Sequence, residues 1–150
     1  MNIRTFTLAM GIIYALVGIL GFFPALMSAP PANGPVISSG YSLLFGMFPI
    51  NTLHNIVHLI IGAWGILAYQ DLDGSRAFTR SLAVLYGALA VFGLIPNLNT
   101  LFGLVPLFGN DVWLHLLTAL AAAYFGFVLP ATEIGMGHAG HGHPDKSSRV

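Results

Sequence analysis

The stretch NTLHNIVHLIIGAWGILAY, residues 51–69, is apolar over about the length of chain that crosses a lipid bilayer. A hydrocarbon core about 30 Å thick needs roughly 20 helical residues at 1.5 Å rise per residue. Three further stretches meet this requirement, at residues 5–27, 78–95 and 111–130. Because backbone amides in lipid must be paired within their own segment, the sequence predicts an all-α integral membrane domain of four transmembrane helices over residues 1–130.

The composition agrees with a location in lipid. Hydrophobic residues make up 56% of the chain and charged residues only 7%, whereas a soluble domain carries about 25% charged residues. The formal net charge is zero, which gives no support to nucleic-acid binding. There is no cysteine, which excludes disulfides, iron–sulfur clusters and thiolate nucleophiles.

The basic residues indicate the orientation of the chain in the membrane. They lie near the N-terminus, around the second connection and in the C-terminal tail, at Arg4, Arg76, Arg80, Lys146 and Arg149. The connections at residues 28–50 and 96–110 contain none. Since cytoplasmic loops collect Lys and Arg, both termini are predicted to be cytoplasmic and the two long connections to lie outside.

The second half of the chain repeats the first. The segment YALVGILGFFPAL at residues 14–26 matches YGALAVFGLIPNL at residues 86–98 without gaps. Likewise, LFGMFP at residues 44–49 matches LFGLVP at residues 101–106. The sequence therefore predicts a four-helix transmembrane bundle built from two duplicated helical hairpins, related by a pseudo-twofold axis along the membrane normal.

Four polar residues recur at one level of the predicted helices. Extending the second match aligns His54 with Asp111 and His58 with His115. Residues four apart lie on one helix face, so each helix presents two polar groups in register. If these faces meet at the axis, three imidazoles and one carboxylate converge just below the outer surface. An ionisable group in a membrane helix is costly, which makes the cluster a candidate functional site.

The predicted cluster fits a transition metal or a haem. Imidazole together with carboxylate suits zinc, iron, copper or manganese, with His54, His58, Asp111 and His115 as the metal ligands. Alternatively, His58 and His115 are the two axial ligands of a haem b, with the other two residues beside them. The sequence contains no C-x-x-C-H, which excludes covalent attachment of the c type.

Two other functions fit the same residues. In a non-enzymatic accessory subunit the histidines only bond across helices, and Asp111 caps the first turn of its helix. A small proton-coupled carrier would use His54, His58 and Asp111 as a relay. No nucleophile elbow, Walker loop or H-E-x-x-H pair is present, so no catalytic residue is assigned and enzymatic activity stays open.

The C-terminal residues 131–150 form a tail rich in glycine and histidine, with His138, His141 and His143. Such a tract can chelate a divalent metal or have no function. We expect it to be disordered, because glycine supplies neither helix propensity nor a core. It is predicted to be cytoplasmic, on the opposite side of the membrane from the cluster.

The motifs N-x-x-H-N-x-x-H at residues 51–58 and N-D-x-x-x-H at residues 110–115 resemble those of an uncharacterised bacterial family of small four-helix membrane proteins, a domain of unknown function. The resemblance covers residues 5–130. It implies a location in the bacterial plasma membrane and carries over no established activity. The expected partners are the lipid bilayer and either further copies of the chain or a larger membrane complex.

Overall fold

The computed structural model describes residues 1–129, so the predictions for the tail at residues 131–150 lie outside the described residues. The described chain is mostly helical, with four α-helices: α1 Ile3–Leu20, α2 Thr52–Ala68, α3 Leu72–Phe92 and α4 Asn110–Ala123. Helix α4 continues as a π-helical segment, Tyr124–Val128. Short 3-10 turns lie in the connections, at Pro24–Leu26 and Leu98–Thr100.

A small antiparallel sheet corrects the prediction of an all-α chain. Its strands are β1 Met27–Ser28, β2 Ser42–Leu44 and β3 Phe48–Ile50, in the order β1-β2-β3. Strands β2 and β3 are joined by a tight turn in which Phe45 and Gly46 have positive φ angles of 53° and 70°. Strands of two or three residues are too short to produce the alternating pattern by which a strand is recognised in a sequence.

Two helices differ in their bounds from the predicted apolar stretches. Helix α1 ends at Leu20 instead of residue 27. Pro24 disfavours helical backbone in the residue before it, and Phe23 is extended. Helix α3 begins at Leu72 instead of residue 78, because the side chain of Asp71 caps its first turn. The other two helices begin within one residue of their predicted starts.

The helices pack in two hairpin pairs around one core. Helix α1 packs along α2, and α3 packs along α4, with fewer contacts between the two pairs. All four helices contribute to the apolar core, whose largest fully buried side chains include Phe78, Leu82 and Tyr86. The core therefore joins the two hairpins into one unit.

Helices α1 and α2 approach so closely that glycine is required at their contact. A Cβ on Gly11 would lie 2.6 Å from the backbone nitrogen of Ile66, and one on Gly62 would lie 2.5 Å from a backbone nitrogen of α1. The contact between α3 and α4 is wider, since a Cβ on Gly87 would meet only the Ala119 methyl, at 3.9 Å.

Residues that the repeat aligns adopt the same local structure. Phe45 and Phe102 both have a left-handed backbone, with φ angles of 53° and 58°. They lie in the two connections that we call the outer connections, residues 28–50 and 96–110. Helices α1 and α3 both end at an aligned glycine, Gly21 and Gly93, each in a right-handed helical conformation. The two hairpins thus share these local conformations, although the sheet lies in the first connection and the second contains a 3-10 turn.

Aligned residues also meet in the core. The aromatic rings of Tyr14 and Tyr86, which head the matched segments, have centroids 5.2 Å apart. Thr7 and Thr79 are as far apart along the chain as Tyr14 and Tyr86. Their hydroxyl oxygens lie 3.0 Å apart, a hydrogen-bond distance. Contacts between aligned residues are expected where two repeats face each other across an axis.

Two helical segments are long and apolar enough to cross a membrane, Ile3–Leu20 and Asn110–Val128, and Thr52–Ala68 is apolar but shorter. The core helix of a soluble protein passes the same test, as does a signal sequence near an N-terminus. Length and composition of these helices are therefore compatible with a membrane location without requiring it.

The close contact between α1 and α2 predicts that Gly11→Ala destabilises the protein. The added methyl meets backbone atoms of α2 that cannot yield without separating the helices, an overpacking cost of about 1–3 kcal/mol. The matched control Gly87→Ala has room for its methyl and gains up to about 1 kcal/mol of helix propensity. Thermal unfolding in detergent measures both variants, and equal losses would contradict the difference in helix spacing.

Candidate metal centre

The first turn of α2 is fixed by Asn51. The Asn51 side-chain oxygen accepts a hydrogen bond from the backbone N–H of His54 at 2.9 Å, which caps the helix. Its side-chain nitrogen donates to the hydroxyl of Ser39 at 3.0 Å and to the carbonyl of Leu104 at 2.8 Å. One side chain therefore ties both outer connections to the helical turn that carries His54.

The first turn of α4 places Asp111 inside the protein. Gly109, with a φ of 68°, precedes the helix, and no side chain caps it. Asp111 lies in the first turn and is only 3% exposed. Asp111 therefore makes no capping hydrogen bond, although its place in the first turn is one that the helix dipole favours for a carboxylate.

Three of the four predicted site residues come together. His54, Asp111 and His115 each offer a ligand atom, and these atoms all lie within 4.8 Å of one another. The shortest approach between His54 and Asp111 joins His54 Nδ1 to Asp111 Oδ2, at 3.9 Å. All three residues are buried. The geometry matches the predicted convergence of α2 and α4.

The fourth residue, His58, lies beside this group and not in it. Its ring meets the ring of His54 nearly edge-on, with centroids 4.5 Å apart, and the ring of Tyr14 at 5.2 Å. His58 is one turn further into α2 than His54 and is also buried. The structure therefore separates a group of three residues from a neighbouring fourth.

The buried polar atoms of this cluster have no hydrogen-bond partner. This is true of the Nδ1 atoms of His54, His58 and His115 and of the Oδ2 atom of Asp111. Buried polar atoms are nearly always hydrogen-bonded, so each exception needs an explanation. Two imidazoles and a carboxylate with free donor atoms within reach of one point fit a bound transition-metal ion.

Two tyrosines flank the cluster, Tyr14 and Tyr86, and the sequence analysis did not select them. Tyr86 contacts His115 at a centroid distance of 5.1 Å, as Tyr14 contacts His58, and the Tyr14 hydroxyl donates to Thr118 Oγ1 at 3.3 Å. A buried tyrosine in an apolar helix resembles core packing. The available signal was their aligned position at the head of both matched segments.

The outer connections close the site from the outer end. The backbone N–H of Ser38 donates to the carbonyl of Gly103 at 2.9 Å, which joins the two connections. Leu107, Pro49 and Pro106 are fully buried beneath them. Exclusion of water lowers the local dielectric and strengthens every electrostatic interaction in the cluster.

Few charges lie near the cluster. The carboxylates of residues 1–129 are Asp71, Asp73 and Asp111, and the first two stand at the start of α3, at the opposite end of the helices. The Arg4 side chain donates to the carbonyls of Tyr69 and Gln70, at that same end. Asp111 is therefore the one carboxylate of the described chain near the cluster.

A family described as Domain of unknown function (DUF4383) matches residues 4–128, nearly the whole described chain. The chain belongs to this family. The predicted resemblance to an uncharacterised family is confirmed, and no curated protein and no solved structure matches the chain. The cluster of this DUF4383 chain must therefore be interpreted from its own residues.

Replacing Asn51 by Ala in this DUF4383 chain is expected to lower stability by about 1–2 kcal/mol, since it removes the helix cap and two ties to the outer connections. Thr52→Ala is the matched control, because Thr52 is exposed in the next position of the same helix. Thermal unfolding of both variants measures the difference. An unchanged melting temperature for Asn51→Ala would contradict the role of this side chain.

Proposed function

We propose that this chain is an integral membrane protein that binds one transition-metal ion through His54, Asp111 and His115, just below the outer surface of a bacterial plasma membrane. The observation that carries the proposal is the cluster of buried, unpartnered donor atoms in a shared volume. Ligand atoms about 2.1 Å from a common ion are roughly 3–4 Å apart. Small inward shifts of these side chains are enough to coordinate zinc, iron or copper.

A purely structural role for the histidines is less well supported. Histidines that serve only helix packing would hydrogen-bond across the helices. Here the Nδ1 atoms of all three have no partner, while other buried polar groups do, such as Thr7 with Thr79 and Tyr14 with Thr118. The unpaired state of the cluster favours an ion as the missing partner.

The ring contacts favour an ion over a haem. Tyr14 contacts His58, Tyr86 contacts His115, and the tyrosines contact each other, so aromatic rings occupy the space beside both expected axial ligands. A porphyrin between these histidines would have to displace that packing. An ion needs only donor atoms that already lie close together.

The membrane location is supported by the exposed surface of the helices. In the apolar windows of Ile3–Leu20 and Asn110–Val128, only 33% and 39% of residues are buried, whereas a soluble core helix is mostly buried. Large apolar side chains are exposed on all four helices, among them Leu16, Ile60, Val84 and Leu117. An apolar surface of this extent needs lipid or a partner. We propose a four-helix transmembrane bundle of two duplicated hairpins.

The proposed orientation has both termini in the cytoplasm. The hydrogen bonds from Arg4 bring the N-terminus and the connection between α2 and α3 to one end of the helices. Basic residues collect at that end, at Arg4, Arg76 and Arg80. The site and the long connections lie at the other end, which under the positive-inside rule faces outward.

Elemental analysis tests the metal site. The parent is the full chain with His138, His141 and His143 replaced by Gln, so that the tail cannot contribute imidazoles. We expect about one transition-metal ion per chain and no Soret band in the visible spectrum. Asp111→Asn and His115→Gln each remove a ligand, and the metal content should fall below about a tenth of the parent value, since even indirect partners of metal ligands are worth 10–100-fold in affinity.

The control is Ser75→Ala, a buried residue at the opposite end of the bundle that is expected to keep the metal content of the parent. A Soret band that disappears with His58 or His115 would replace the ion by a haem. Folded parent protein without metal after incubation with zinc, iron or copper would refute the proposal.

Single cysteines test the orientation, because the chain contains none of its own. Val36, 87% exposed in the first outer connection, and Gln70, exposed between α2 and α3, are suitable positions. We expect Val36→Cys to react with a membrane-impermeant maleimide in intact cells, and Gln70→Cys to react only after permeabilisation. Labelling of both variants in intact cells, or of Gln70→Cys alone, would contradict the proposed topology.

A further inference from the structure

We propose that the metal site is an open centre: three protein ligands leave a coordination position that takes a small monovalent anion, which accepts a hydrogen bond from the imidazole of His58. Hydroxide derived from water and the azide ion belong to this ligand class. The inference rests on the proposed function, because it assigns a ligand to the same site.

The number of protein ligands is the first argument. Closed structural zinc sites use four protein ligands, whereas centres that bind exogenous molecules use three and keep a position for water or substrate. His54, Asp111 and His115 form such a group of three. Two histidines and one carboxylate are also the ligand set of iron centres that retain open positions.

The place of His58 is the second argument. It is outside the group of three, yet its Nδ1 is buried and has no hydrogen-bond partner. Its ring is held by contacts with His54 and Tyr14 on two sides. An imidazole N–H in this situation needs an acceptor, and a hydroxide or azide on the adjacent ion supplies one.

Charge is the third argument and selects an anion. A divalent ion bound by two neutral imidazoles and one carboxylate leaves one positive charge at the site. The other described carboxylates, Asp71 and Asp73, are at the far end of the helices. An unbalanced charge in a medium of low dielectric is costly, so a monovalent anion at the open position stabilises the centre.

The burial of the cluster limits the size of this anion. His54, His58, Asp111 and His115 are each at most 6% exposed. The tyrosine rings lie on the inner side of the cluster, and the connected loops cover its outer end. The position therefore suits only a small anion.

Cobalt(II) provides a visible probe for this position, because it accepts the same nitrogen and oxygen ligands and its absorption depends on its coordination. The full chain with His138, His141 and His143 replaced by Gln is loaded with cobalt and titrated with sodium azide. We expect one cobalt per chain and a saturable change of the visible spectrum. Ser75→Ala, remote from the site, should respond like the parent.

The variant His58→Gln tests whether His58 is a neighbour of the ion or one of its ligands. We expect this variant to retain one cobalt per chain, while its azide affinity changes by roughly tenfold or more, the effect of altering one hydrogen bond at the open position. The azide response of the parent stands on its own, so the proposal remains testable even if the variant folds poorly.

Three outcomes would overturn the inference. If azide leaves the parent spectrum unchanged, no exchangeable position exists, whatever the His58 variant does. If His58→Gln also loses its cobalt, His58 is the fourth ligand of a closed site. Either result leaves the proposed metal site intact. Failure of the folded parent to bind cobalt or any other transition metal would instead refute the proposed function itself.

Discussion

The main constraint on this structure is a set of buried polar atoms that have no hydrogen-bond partner. Most of these atoms belong to one cluster, at His54, His58, Asp111 and His115. An unsatisfied buried group costs about 1–3 kcal/mol, so four of them would consume much of the 5–15 kcal/mol by which a typical domain is stable. A bound ion removes this cost for the atoms it coordinates. Under the proposed function, an ion bound at these residues would therefore link stability to metal binding.

The outer ends of the helices are the part of the fold built around this cluster. Asn51 caps α2 and holds both outer connections, and the backbone bond between Ser38 and Gly103 joins those connections to each other. The small sheet belongs to the same region, since β3 runs directly into the helix that carries His54.

Much of the fold follows from the sequence because apolar length and helical spacing are strong signals. The four helices and the meeting of His54 with Asp111 were predictable in this way. The strands were not, because they are too short. Neither was the early start of α3, because Asp73 and Arg76 lower the local hydropathy near its beginning. The separation of His58 from the other three residues depends on the directions of individual side chains. The spacing of residues in the sequence does not determine those directions.

The repeat explains why the site combines imidazole with carboxylate. Alignment of the two hairpins places His54 opposite Asp111 and His58 opposite His115, so a symmetric pair of hairpins would offer four neutral imidazoles. A divalent ion held only by neutral imidazoles would keep both its charges in a medium of low dielectric. The carboxylate of Asp111 lowers that charge from two to one. Asp111 still occupies the helix position that is equivalent to that of His54. Divergence at a single aligned position is thus enough to make a buried centre suitable for a divalent ion.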